Sequence, residues 1–168
     1  MAEGTGVIVQ QFPGMRVCVM EREIERTQIG DFLGEAFAAV GAAMAEAGWH
    51  PSGPPVARYD MADGRFIVQA GFPVDDPGAQ PSVGMAQPSV GMAQGIRVDE
   101  FPAGPAATLA FQGPYEQMPS AYQEVSRWMG EHGYRPDGRP WEQYLDGPEV
   151  AQPRTVIQWP CAPVHPGA

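Results

Sequence analysis

The sequence predicts an α+β protein built from two tandem strand-helix-strand-strand modules, which together form an antiparallel sheet with two main helices. Three observations predict it. Residues 36–59, AFAAVGAAMAEAGWHPSGPPVARY, align without gaps on 121–144, AYQEVSRWMGEHGYRPDGRPWEQY, with nine of 24 positions identical, more than composition alone would give. Upstream, VIVQQFPGM at 7–15 answers IRVDEFPAG at 96–104, so that Phe12-Pro13 matches Phe101-Pro102. Inside each copy the apolar residues recur at the i, i+3, i+4, i+7 spacing of an amphipathic helix.

The elements follow in order. The first copy reads as strands at 7–11 and 15–20, a helix at 28–47, a Gly-Pro turn, and strands at 54–60 and 65–73. Phe32, Leu33, Phe37, Val40 and Met44 form the apolar stripe of its helix. Gly48 offers a left-handed C-terminal cap, and Pro51 blocks any continuation. The second copy reads as strands at 96–100 and 105–111, a helix at 115–132 striped by Met118, Tyr122, Val125 and Met129, and strands at 140–145 and 154–159. Gly133 and Pro136 repeat the helix stop. Between the copies, AQPSVGMAQPSVGMAQG at 79–95 holds two perfect seven-residue repeats, whose Pro, Gly and small residues bury too little apolar surface to offset their ordering entropy. The organisation expected is one domain over 1–168, with module one at about 5–75, a flexible linker at about 76–95 and module two at about 96–162.

Composition excludes several functions. A 43% hydrophobic content over 168 residues is enough for a sizeable core. Ten Lys plus Arg against twenty Asp plus Glu give a net charge of −10, which repels a phosphate backbone, so no direct nucleic-acid binding is expected. No stretch approaches the 18 or so apolar residues of a membrane span and no secretory leader is legible, so a cytoplasmic location without membrane contact is the expectation. Cys18 and Cys161 are expected as free thiols, and His50, His132 and His165 have no ligand spacing, so neither metal nor cofactor is called for. No G-x-S-x-G elbow or phosphate-cradling glycine loop is present.

The chemistry concentrates in GRPWEQYLD at 138–146. With a strand's period of two, Glu142 and Tyr144 point the same way, setting a carboxylate beside a phenol. A salt bridge to Arg58 or Arg154 would make Glu142 purely structural; a pocket would make it a ligand contact. Tyr144 and its repeat partner Tyr59 can equally be core residues.

Four segments, AGFPVD (70–75), FPAGPAATLAFQGPYEQMPSAYQEVSRWMGEHGY (101–134), GRPWEQYLDGPE (138–149) and RTVIQWP (154–160), together resemble the gyrase-inhibitor-like (GyrI-like), AraC-type effector-binding domain over nearly the whole chain. The resemblance implies the duplicated fold, with two modules joined about a pseudo-two-fold axis and a cleft between them for small molecules. In regulators this domain follows a helix-turn-helix region; here a strand comes first, so a stand-alone drug-sensing or sequestering protein is expected. The resemblance places Glu142 at the cleft floor, where multidrug-binding members meet flat, hydrophobic cations, and Tyr115 at the cleft edge. Tyr144, Tyr59, Trp128, Phe72 and Phe111 are its aromatic candidates, and Phe37 and Met118 are core residues with a cleft-facing edge. Cation–π attraction is worth roughly 0.5–2 kcal/mol per well-placed ring.

Two other readings remain open. Some gyrase-inhibitor-like proteins hydrolyse cyclopropane-bearing DNA-alkylating natural products, a reaction for which a desolvated Glu142 would serve as general base. Inhibition of a protein partner such as a topoisomerase is suggested by the family name alone. Oligomeric state is not legible.

Overall fold

The computed structural model describes residues 6–74, 96–147 and 149–164, without the side chains of Ala62 and Tyr115. The repeat segment read as a linker lies outside the described residues, as does His165. In chain order the elements are β1 (Ile8–Phe12), β2 (Met15–Ile24), α1 (Ile29–Ala47), β3 (Val56–Ala62), β4 (Arg65–Pro73), β5 (Ile96–Phe101), β6 (Gly104–Gln112), α2 (Met118–Glu131), β7 (Tyr134–Pro136), β8 (Trp141–Tyr144) and β9 (Arg154–Pro163). The class is the α+β arrangement with antiparallel pairing and two main helices that the residue pattern predicts.

The chain divides into an amino unit, Gly14–Pro102, and a carboxy unit that combines Met1–Pro13 with Ala103–Ala168. In the amino unit the strands run β3-β4-β2-β5, every pair antiparallel. In the carboxy unit they run β1-β6-β9-β8, again antiparallel, with β7 pairing the end of β9. The opening strand of each sequence copy therefore pairs in the unit built by the rest of the other copy: β1 on β6, and β5 on β2. Alternation marks a segment as a strand but carries no information about its partner, so this exchange is invisible in the pattern. The break falls where proline removes a backbone donor, at Pro13 and Pro102.

Helix α1 buries Phe32, Ala36, Val40 and Met44 against its sheet, and burying a Phe or Met side chain is worth about 1.5–3 kcal/mol. Its end is fixed by Gly48, whose φ of 81° lets Gly48 N–H donate to Ala45 and Trp49 N–H donate to Met44. Helix α2 begins at Met118 rather than at 115, because Tyr115–Gln117 form a 3₁₀ turn after Pro114. The three-residue β7 is too short for periodicity to reveal. In the carboxy unit Met118, Ala121, Val125 and Met129 of α2 close over Ala107, Leu109, Ile157 and Cys161 of the sheet, with Val7 beside them. Cys18 and Cys161 are both buried free thiols, as expected, and burial pushes the Cys18 thiol up to about 11.

Candidate functional site

Strand β8 owes its position to contacts on its other face and at its end. Trp141 is 2% exposed and tilts against Phe12, ring centroids 5.0 Å apart. Beyond the strand, Asp146 accepts from Arg154 Nε at 2.8 Å, from an Arg154 terminal nitrogen at 3.0 Å and from the Arg154 backbone N–H at 3.0 Å. That fork closes the β8–β9 connection, and the Arg154 guanidinium holds the Asp146 carboxyl below its usual range.

The resulting register sets Glu142 opposite Ile157 and Tyr144 opposite Thr155 on β9; one strand further on, Ile157 faces Leu109 and Thr155 faces Phe111 on β6. Paired residues share a face, so Glu142, Tyr144, Thr155 and Phe111 lie on the side that Ile157 and Leu109 turn toward α2. The expectation that Glu142 and Tyr144 point the same way holds.

Glu142 is 6% exposed. Its two carboxylate oxygens are each met by a phenol: Tyr144 OH donates to Oε1 and Tyr122 OH, from α2, donates to Oε2, both at 2.6 Å. These lengths are those of charge-assisted O–H···O⁻ bonds, which offset the several kcal/mol that burying a carboxylate costs. The Tyr122 ring stands edge-on to Trp159 of β9, centroids 5.7 Å apart. Of the two arginines considered as structural partners, Arg154 is forked onto Asp146, while Arg58 bonds Gln69 at 2.9 Å and lies 3.5 Å from Asp99.

One further polar group lies on this face. Thr155 is fully buried and its hydroxyl has no hydrogen-bond partner among the described residues. A buried hydroxyl left unbonded costs about 1–3 kcal/mol.

The other expected residues fall into separate groups. Met118 is 8% exposed and belongs to the core under α2. Trp128 stacks on His132 at 4.0 Å and on Tyr134 at 6.1 Å, toward the C-terminal end of α2. Phe37 and Phe72 meet in the amino unit at 5.8 Å, and Tyr59 lies on β3 in that unit. Tyr115 opens the 3₁₀ turn, and its side chain lies outside the described residues.

Residue-pattern reasoning placed Tyr122 in the core stripe and did not count Trp159 among the aromatic candidates. A signal for Tyr122 existed: it aligns with Phe37, and a buried tyrosine needs a partner for its hydroxyl. Among the described residues no group of three or more His, Cys, Asp or Glu side chains is placed to hold a metal, and no helix is long and apolar enough to cross a membrane. Chemically, the cluster offers a buried carboxylate whose two oxygens each accept from a phenol, with the Trp159 indole against one of those rings.

The family model for the GyrI-like small molecule binding domain matches residues 7–162. No curated protein matches the chain. Among solved structures, the C-terminal domain of EcmrR superposes with a TM-score of 0.72 at 19% identity, over 94% of this chain and 98% of that one. EcmrR in its DNA complex gives 0.73 at 20% identity, and there the match covers 94% of this chain but only 57% of EcmrR. SAV2435 bound to tetraphenylphosphonium gives 0.62 at 14% identity, with 93% of each chain covered. A hydrolase from Listeria innocua gives 0.64 at 14% identity, over 94% of this chain and 92% of that one.

Proposed function

This chain belongs to the GyrI-like small molecule binding family, and from that premise we propose that it binds flat, hydrophobic, preferentially cationic molecules against Glu142, in order to sense or sequester them in the cytoplasm. The observation that carries the reading is the buried Glu142 carboxylate held between the Tyr122 and Tyr144 hydroxyls. An arriving cation supplies the counter-charge that water gives an exposed carboxylate, and the phenol and indole rings beside it add cation–π attraction. Tyr122, Tyr144, Trp159 and Phe111 form the aromatic surround of this reading. The tetraphenylphosphonium held by SAV2435 is a bulky aromatic cation, tetrahedral and not flat, which supports the hydrophobic and cationic part of the ligand class.

Burying about 300 Å² of apolar ligand surface is worth roughly 7 kcal/mol gross, and lost translational and rotational freedom removes a large part of it. Micromolar affinity follows. Because burial is non-directional, many shapes are tolerated, and the carboxylate sets the preference for cations.

A second reading rests on the hydrolase among the structural neighbours: Glu142 then activates water toward a strained electrophile such as a cyclopropane-bearing natural product. One experiment separates the two. Titrating a fluorescent planar cation, a neutral analogue and an anionic one into wild type and Glu142→Gln, with mass spectrometry of the ligand afterwards, is expected to show saturable cation binding that weakens tenfold or more in the variant while the ligand survives. Equal binding by both proteins refutes the electrostatic role of Glu142, and turnover lost in the variant establishes the hydrolase.

A further inference from the structure

Thr155 is fully buried, its hydroxyl has no partner among the described residues, and it sits in the pairing row between Tyr144 and Phe111. In the amino unit the corresponding place is Val68, which pairs with Tyr59 as Thr155 pairs with Tyr144. Val68 is fully buried as well. Valine and threonine have nearly the same shape, so the fold accepts a valine there, and the hydroxyl in the carboxy unit adds a desolvation cost that packing does not explain.

We infer that Thr155 is a specificity-determining contact whose hydroxyl bonds a polar group of the ligand, so that the preferred ligands are planar cations bearing a hydrogen-bonding substituent. This rests on the reading of Glu142 as the cation site. Thr155 is the diagonal cross-strand neighbour of Glu142, a relation that separates side chains by about 7 Å. The substituent therefore lies about 5–8 Å from the charge. A threonine hydroxyl both donates and accepts, so amino, hydroxyl and carbonyl substituents all qualify, whereas hydrocarbon-bodied cations leave the hydroxyl unbonded. The burial of Thr155 means that the ligand reaches it only after a flanking ring, Tyr144 or Phe111, turns aside, which couples this contact to entry.

The test compares two permanent cations of one shape, 10-methylacridinium and 3,6-diamino-10-methylacridinium, on wild type, Thr155→Val, Thr155→Ser and Glu142→Gln. Thr155→Val is expected to weaken the diamino compound fivefold or more, to leave the unsubstituted one within twofold, and to raise Tm by about 2–4 °C in the free protein by removing the unbonded hydroxyl. Thr155→Ser keeps the hydroxyl and is expected to keep the preference for the diamino compound. An unchanged ratio of the two affinities in Thr155→Val overturns the inference. So does a lowered Tm in a folded Thr155→Val, since the hydroxyl would then already be bonded in the free protein. Glu142→Gln weakens both compounds alike; if it weakens neither, the cation reading fails, while the Thr155 ratio still decides its own question.

Discussion

The two units place their buried polar groups on opposite faces of similar sheets. In the carboxy unit Tyr122, Glu142, Tyr144 and Thr155 lie on the face toward α2, whereas the aligned or correspondingly paired residues of the amino unit are Phe37, Ala57, Tyr59 and Val68. The amino unit's buried charge is Arg58, one residue along from Ala57 and so on the face away from α1, since Ala57 pairs with Ala70 on the side where Phe72 meets Phe37. There Arg58 bonds Gln69, Gln69 donates to Glu21 and Asp99, and the guanidinium lies 4.4 Å from the Phe101 ring centroid. Among the described residues one helix-facing surface thus holds Tyr59 and, where it is exposed, Arg22 paired with Glu35 of α1, but no buried carboxylate, whereas the other is built around Glu142. The difference teaches that this strand arrangement forms in the amino unit with Ala57 where the carboxy unit has Glu142, so the carboxylate is a feature of one unit and not a requirement of the strand pairing.

Copying the carboxylate across is the harshest way to break that comparison. Ala57→Glu places a charge on a fully buried site whose helix offers Phe37 in place of a phenol, and is expected to destabilise by about 3–5 kcal/mol in urea unfolding. Adding Phe37→Tyr to it is expected to recover part of that loss; a double variant no better than the single one contradicts the role given to the phenols.

Removing a phenol is the milder converse. Tyr122→Phe, which gives α2 the residue that α1 carries, takes away one charge-assisted hydrogen bond and is expected to cost about 1.5–3 kcal/mol of stability. Cation preference should survive it in the planar-cation titration, because Glu142 stays in place and a bound cation supplies the counter-charge that the phenol partly provided. A variant as stable as wild type shows that the bond to Glu142 contributes nothing to the free protein.

Acid titration sharpens the amino-unit side and carries the smallest effect. Burial opposes ionisation of Asp99, but the Glu100 amide, the Gln69 side chain and the Arg58 and Arg97 charges outweigh it and hold the carboxyl below its usual range. A depressed folded-state value means the contribution is fully present above pH about 4 and is lost as pH falls through the folded-state value. The stability gap between wild type and Asp99→Asn should therefore be constant near neutrality and close on acidification. A gap that widens in acid reverses the sign.

Much of this was legible in the sequence because it depends on period. Both helices, the shared face of Glu142 and Tyr144, and the glycine stop at Gly48 follow from spacing and backbone chemistry. The exchanged strands did not, because the pairing of β1 with β6 rests on long-range packing that alternation does not encode. Tyr122 was hidden for a related reason: a helical stripe shows that a tyrosine faces the core but not that a carboxylate waits there. Thr155 was hidden because a threonine in a strand carries no signal until its hydroxyl is seen to be unbonded.

The most direct test of the claim that the carboxy unit's carboxylate is the binding site is a crystal structure with bound 10-methylacridinium. The account predicts the cation over Glu142, with Tyr122 or Tyr144 turned from its hydrogen bond to face the ring. A cation seated instead on Phe37, Phe72 and Tyr59, with both phenols still bonded to Glu142, would contradict it.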